Sequence, residues 1–433
     1  MGEVLNLQVI IILLSFLIVV GLMITKKLPT LLALPLLGLI IAVVAGVPFL
    51  KPLEEGGQTI MGHVIGGGST RLAGTIMAVI YGAIFAKVIQ KQGISNTIIR
   101  KAAELAGDKP LVIAFILTVA CAVVFSALGG AGAVIMVATI VIPLMISAGI
   151  TPKVSGGCFL MGLGLGGLFN VANYTFYVEA IGMDMELVKS TSLVLAGISI
   201  VVTIVYILMN VNKNSVRSTW SAPNPNLNTE DKKDVNIVAM AMPLLPILLV
   251  FLAKFTVELS LIMSIILAVL VTNPRDIKRV ITSSIVEGIQ DVAGVIGLMM
   301  GIGILLNGVS STAAVVVMQP LITAVLPTSP IPYVIIFTIC APLALYRGPL
   351  NLYGLGSGIG NVMLAAGTLS PTGIGMALRS AGVVQGISDP TNTHNVIVAD
   401  FAKTDVNEIL KSTLPYTVFI TFCSLVYTAI VLL

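Results

Sequence analysis

The sequence predicts an all-α integral membrane protein made of two inverted repeats of five spans each, with one re-entrant hairpin and one broken helix per repeat. Three observations carry that expectation. Of 433 residues, 57% are hydrophobic and only 10% charged, too little polar surface for a water-soluble globule of ordinary composition. Apolar runs of about 20 residues recur along the chain, long enough at 1.5 Å per residue to cross roughly 30 Å of hydrocarbon. The second half also echoes the first. An ungapped alignment of Phe169 to Thr191 on Thr391 to Thr413 pairs Asn170 with Asn392, Asn173 with Asn395, Ala180 with Ala402 and Glu186 with Glu408. It further pairs Lys189, Ser190 and Thr191 with Lys411, Ser412 and Thr413.

Taken in order, the first half reads as spans at 6–24, 28–47 and 72–90, a hairpin over 111–148, a broken span over 155–180 and a final span at 191–211. The first run is followed by Lys26, Lys27 and another apolar run without a cleavage signature, so it reads as a retained span and not a signal peptide. Asn212 to Asn236, rich in Asn, Ser, Pro, Lys and Asp, is the one stretch with the composition of a soluble linker. It divides a first repeat, 1–211, from a second, 237–433. The second half then gives spans at 237–255, 259–272 and 291–309, a hairpin over 332–367, a broken span over 372–402 and a final span at 412–433.

The distribution of positive charge selects hairpins over pairs of full spans. Five crossings per half invert the second half and gather most Lys and Arg on one face, which places the linker in the cytoplasm and both termini outside. Lys51, Arg71, Lys189 and Lys254 fall opposite, and Arg347 and Arg379 lie in the hairpin and broken-span region. Ile94 to Gly107 reads as an amphipathic helix on the cytoplasmic surface. Cys121, Cys158, Cys340 and Cys423 sit in apolar segments without paired spacing, which marks them as packing residues and gives neither a disulfide framework nor a metal site.

Clusters of Gly, Ser, Asn and Pro inside apolar runs carry the chemistry, because irregular backbone at membrane depth is tolerated only where protein buries it or where it lines a cavity. They are Ser126 to Ala133, Gly162 to Thr175, Tyr346 to Gly358 and Gln385 to Asn395. Two hairpin tips and two helix breaks would converge near the midplane. There, free N–H groups at half-helix N-termini favour an anion, and exposed carbonyls hold a cation. Arg347, beside Gly348 and Pro349, is the candidate to bind a carboxylate with two parallel hydrogen bonds, weighed against an internal salt bridge with Asp389. Arg379 reads as close enough to a helix end to reach the interface. In the second break, Ser388, Asp389, Thr391, Asn392, Thr393 and Asn395 offer hard oxygens suited to Na⁺, with Thr175 in the first break as a further oxygen. His394 and Asp389 are the alternative, as proton carriers.

The layout resembles the ion-transporter superfamily of secondary carriers, which includes gluconate permeases, citrate-proton symporters and divalent-anion/sodium symporters. Gly66 to Ile98 looks like a gluconate permease stretch, GPLNLYGLG (Gly348 to Gly356) like the second-hairpin segment of citrate symporters, and TDVNEILKSTLPY (Thr404 to Tyr416) like the closing segment of both. The first tip departs, with Leu128, Gly129, Gly130 and Ala131 in place of either the Ser-Asn-Thr or the Asp-Gly-Asp-Gly motif of those relatives. The resemblance implies a homodimeric elevator-type symporter of a small organic anion, a carboxylate, driven by Na⁺ or H⁺ in a bacterial-type inner membrane. Its substrate contacts would include Ser126, Gly129, Gly130, Asn170, Asn173, Gly348, Asn351, Thr391 and Asn392. A sodium/proton antiporter of the same superfamily is the alternative. No P-loop, catalytic triad or metal motif is present, so no enzyme, no cofactor beyond Na⁺ and no nucleic-acid partner is expected.

Overall fold

A computed structural model describes residues 7–25, 27–51, 57–107, 109–211, 235–327 and 329–433. Among them there is helix but no strand. The first half runs α1 (Leu7–Ile24), α2 (Thr30–Val44), α3 (Ile60–Lys91), α4 (Ile94–Ala106), α5 (Pro110–Phe125), α6 (Gly130–Ser147), α7 (Pro152–Phe169), α8 (Val171–Ile181) and α9 (Met185–Asn210). The second runs α10 (Ile237–Phe251), α11 (Val257–Thr272), α12 (Pro274–Val309), α13 (Thr312–Val325), α14 (Pro330–Arg347), α15 (Gly356–Ala366), α16 (Pro371–Ser388), α17 (Thr393–Ala402) and α18 (Val406–Val431). Among the described residues six helices are long and apolar enough to cross a bilayer, and α7 and α8 form a further span bent by 64°. Large apolar side chains such as Ile18, Val201 and Phe419 stand exposed on the outer faces, where a bilayer and not water is the fitting solvent. The chain has the all-α integral membrane fold that its composition predicts.

Local chemistry sets the helix ends, and it does so the same way in corresponding places. Pro110 and Pro330 open the two hairpins, and Pro152 and Pro371 open the two broken helices; a proline costs nothing at a first turn, where its missing N–H would have no partner. Asp184 caps α9 through Glu186 N at 2.9 Å, and Asp405 caps α18 through Asn407 N at 2.7 Å. The ion pairs that follow also match, Glu186 with Lys189 at 2.7 Å and Glu408 with Lys411 at 3.1 Å.

Two packed groups of helices hold the fold. In the first, α12 lies against α2 and α3 with backbone touching backbone. A Cβ at Gly303 would stand 2.0 Å from the Gly68 carbonyl, and one at Gly308 would stand 2.3 Å from the Gly38 carbonyl. Small residues at crossings replace the hydrophobic drive that lipid cannot supply. Lys87 with Asp291 at 2.7 Å and Lys91 with Glu287 at 2.6 Å extend the α3–α12 contact.

In the second group, α7 packs on α5, and α16 packs on α18 along a row of hydroxyls. Ser388 Oγ lies 2.8 Å from Thr413 Oγ1 and 3.1 Å from Thr417 Oγ1. Thr421 Oγ1 donates to the Ser380 carbonyl at 2.8 Å, and the Ser380 and Ser424 hydroxyls meet at 2.7 Å.

Several boundaries differ from the sequence expectation. Helices α3 and α12 begin well before 72 and 291, and α13 was not anticipated although it occupies the place of α4. Instead of lying free, α4 buries Ile94, Ile98, Ile99 and Ala102 and packs against α5, while Arg100 and Glu104 face out. The 111–148 hairpin turns at Ser126 to Gly129, but its second arm, α6, has 18 residues, about 27 Å and hence the length of a full span. Most of the Asn212 to Asn236 linker lies outside the described residues; at its end, Asn236 Oδ1 caps α10 by accepting from Ala239 N at 2.7 Å.

Candidate functional site

The two helix breaks are built alike. At the end of α7, Asn170 turns extended, and its Oδ1 accepts from Ala172 N at 3.2 Å to start α8. At the end of α16, Asp389 turns extended, and three residues later Asn392 Oδ1 accepts from His394 N at 3.3 Å to start α17. The aligned pair Asn170 and Asn392 thus makes the same bond in each half. A side-chain carbonyl serves here because the first N–H groups of a helix have no partner within it.

The second hairpin tip reaches both breaks. Tyr346 and Arg347 both adopt φ 55°, a left-handed bend. Gly348 follows so tightly that a Cβ would sit 2.2 Å from the Leu343 carbonyl, which makes glycine obligatory. The bend points Tyr346 N at Asp389 Oδ1, 3.0 Å away. Farther along, Tyr353 donates to Asn173 Oδ1 at 3.3 Å, and Asn173 Nδ2 donates to the Gly167 carbonyl at 3.2 Å. In α15, Asn361 Nδ2 donates to the Ala180 carbonyl at 2.7 Å. The first hairpin meets the second break in turn, with α17 lying along α6.

Around the first break lies a cavity of about 150 Å³, bordered by Gly167, Asn173, Tyr177, Tyr353, Arg379 and Gln385 among others. Arg379 is 2% exposed. Its Nη1 donates to the Val188 carbonyl at 2.9 Å and to Thr191 Oγ1 at 2.8 Å, and its Nη2 donates to Ser192 Oγ. The guanidinium lies over the Tyr177 ring, 4.9 Å from its centroid, and 5.9 Å from that of Tyr174. All these partners are neutral, and Arg379 Nε has none. The expectation that Arg379 reaches an interface from a helix end is therefore corrected: it lies mid-helix, wedged against α9.

The second break has the opposite character. Asp389 is fully buried, and its Oδ1 accepts from Tyr346 N, Thr391 N at 2.9 Å and Thr391 Oγ1 at 2.7 Å. No salt bridge joins Arg347 to Asp389. The backbone of the neighbouring residue takes that place, and Asp389 Oδ2, Asn395 Oδ1 and Asn351 Oδ1 stay buried without donors. Arg347 borders a wider pocket of about 460 Å³ together with Thr391, Tyr346 and Thr30.

The predicted site residues therefore divide among separate spaces. Asn173 faces the first cavity, and Arg347 and Thr391 face the second. Ser126 borders an apolar space beside Phe115 and Leu248, while Gly129 and Gly130 form the first tip with open space where a Cβ would stand. Thr175 Oγ1 returns to the Ala172 carbonyl at 3.1 Å and Ser388 joins the hydroxyl row, so both are already partnered. Thr393 is exposed and His394 partly buried.

Asp389 is not the lone carboxylate at depth. Glu179 Oε2 accepts from Thr75 N at 2.8 Å and Thr75 Oγ1 at 2.7 Å, capping the second part of α3. Arg71 donates to Asn307 Oδ1 at 2.8 Å, Ser310 Oγ at 3.1 Å and Asn361 Oδ1 at 2.8 Å. Glu179 escaped the sequence reading because it stands at a span boundary, and Arg71, read as a charge on the outer face, is brought inside by the earlier start of α3.

Neither a protein-family profile nor a curated protein matches the chain in sequence. Solved structures do match in shape. One is the crystal structure of the Alcanivorax borkumensis YdaH transporter, described as having an unusual topology. It superposes with a TM-score of 0.59 at 16% identity over 92% of this chain and 97% of that one. The likeness is one of fold: this chain shares, nearly end to end, the multi-pass helical architecture of a transporter of known structure.

Proposed function

We propose that the chain is a secondary active carrier of a small organic anion, a carboxylate, coupled to Na⁺ or H⁺, and that it is not an enzyme. The observation that carries this reading is the meeting of the second hairpin tip with both helix breaks, through Tyr353 to Asn173 and Tyr346 to Asp389. Interrupted helices facing one another at depth supply free backbone donors and acceptors, the equipment of a carrier's midplane site. The shared fold with a transporter is consistent with it.

In this reading, residues 1–211 and 237–433 are inverted repeats joined by a cytoplasmic linker over 212–236. The hairpins and breaks move as an elevator within a homodimer in a bacterial-type inner membrane. Substrate is held among Asn170, Asn173, Arg347, Gly348, Asn351, Thr391 and Asn392, with Ser126, Gly129 and Gly130 of the first tip completing the site. The cation is held around Asp389 and Asn395, with Ser388, Thr393 and His394 in the same break and Thr175 in the first break at a second, pseudosymmetric position. Unpartnered buried oxygens on Asp389 and Asn395 favour a cation there. The antiporter reading draws support from Glu179 as a second carboxylate at depth, but a buried Arg379 with only neutral partners favours an anion.

Uptake of labelled carboxylates into proteoliposomes under imposed sodium or pH gradients tests the proposal. Accumulation that collapses when Na⁺ is replaced by choline identifies sodium coupling, and accumulation driven by pH alone identifies the proton. Sodium/proton exchange in the absence of any anion would establish the antiporter instead. Impermeant labelling of Ser215→Cys from outside intact cells would overturn the inverted topology.

A further inference from the structure

The first-break cavity owes its existence to missing side chains. Gly167 on α7 and Gly382 and Gly386 on α16 all border it, and each has nothing within 4 Å of where a Cβ would stand. Protein interiors are close-packed, and a helical glycine gives up about 1 kcal/mol relative to alanine, so open space beside three of them is unusual. Residues 379, 382 and 386 follow one another at helical spacing, which puts the two α16 glycines on the face that carries Arg379. Arg379 is the only charged residue among the described residues that border the cavity. Its Nε has no partner. The Tyr177 hydroxyl and the Gln385 amide, which also border the space, carry no hydrogen bond to any described residue.

We infer that this cavity is the substrate subsite and that it selects monocarboxylates of about six to eight heavy atoms, the scale of ligand that a space of this size admits. The inference rests on the carrier reading above. Arg379 supplies one positive charge and an Nε–H without a protein partner for one carboxylate, and Tyr177 and Gln385 offer further hydrogen bonds. The walls offer no second cation, so a dicarboxylate would bury an uncompensated charge. The rest of the lining, including Leu163, Leu168 and Ile420, suits an apolar or hydroxylated tail.

The test uses the full chain, purified and in proteoliposomes, with lactate, pentanoate and hexanoate set against succinate and citrate, and with pentylammonium as the cationic control. At least one monocarboxylate should bind and be taken up in preference to both polycarboxylates and to the amine. Gly386→Leu adds a side chain at a position bordering the cavity where a Cβ meets nothing within 4 Å. It should weaken monocarboxylate binding at least about tenfold with an unchanged thermal transition. Arg379→Gln should weaken it similarly, and Arg379→Lys less. Because Arg379 also tethers α16 to α9, Gly386→Leu is the deciding variant. Uptake of succinate or citrate that Gly386→Leu leaves intact overturns the inference while the carrier reading stands; absence of uptake of any anion overturns both.

Discussion

The two helix breaks occupy equivalent places in the halves and begin their second helices with the same asparagine bond, yet they differ in charge. In the first, α7 ends on Asn170, the capping asparagine itself; in the second, α16 ends on a carboxylate, Asp389, three residues before the capping Asn392. The first break therefore leaves an open space faced by a guanidinium, and the second holds a buried carboxylate with a free oxygen. Helices α7 and α16 are both 18 residues long and open on Pro152 and Pro371, so the place that α16 gives to Arg379 is held in α7 by the buried, apolar Leu160. For the carrier proposed above, one break is a positive station and the other a negative one, a division that the coupling of an anion to a cation would use.

The largest expected effect comes from erasing that difference. Gly167→Asp has room for its side chain and brings a carboxylate to the Arg379 cavity, so anion binding should fall by about tenfold to a hundredfold, the worth of a charge-assisted bond. Calorimetric titration with the preferred carboxylate reads the loss, and unchanged affinity would remove Arg379 from the site. Next in size is Asp389→Asn, which keeps the Oδ1 acceptor for Tyr346 and Thr391 but discards the charge. Accumulation driven by a cation gradient should disappear while equilibrium binding of the anion changes by no more than a few fold. Persistence of gradient-driven uptake would move the coupling role elsewhere, with Glu179 the first place to look.

A smaller loss of affinity, about tenfold, is expected for Arg347→Ala, with Arg347→Lys rescuing it only in part. Arg347 makes no ion pair, so the thermal transition should stay within the equivalent of about 0.5 kcal/mol; a large drop in stability with intact affinity would make it a structural residue. The smallest effects test the likeness of the breaks and not their difference. Asn170→Ala and Asn392→Ala should each cost about 1 kcal/mol of stability, and by similar amounts. Thermal melts of the two variants that diverge widely would show that the caps are not equivalent.

Much of the fold was legible because hydropathy reports the solvent of each segment and because prolines, capping aspartates and asparagines mark helix ends locally. The turn at Ser126 to Gly129 and the breaks at Asn170 and at Asp389 to Asn392 stand where the sequence placed them. What stayed hidden depends on which helix lies beside which. That Arg379 meets Thr191 and Ser192, rather than water at a helix end, is a property of the α9–α16 contact and not of α16. Its position in the middle of an apolar 18-residue helix was the available signal. Glu179 and Thr75 likewise reveal their partnership only when α8 meets the bend in α3. That Asn173 and Arg347 border different spaces stayed hidden for the same reason: a one-dimensional pattern shows which residues avoid lipid, but not which of them face one another.

The hydroxyl row between α16 and α18 bears on motion. Ser380, Ser388, Thr413, Thr417, Thr421 and Ser424 are almost wholly shielded, and their bonds close on α16 and α18 themselves. Thr413, Thr417 and Thr421 also bond to carbonyls of α18 itself, but parting the two helices would break the bonds of Ser380 and Ser388 across the seam where no water can replace them. The seam acts as a weld. In the elevator motion proposed above, the last helix would travel with the broken helix, and the sliding surface would lie on the far side of α18 or beyond α16, not between them.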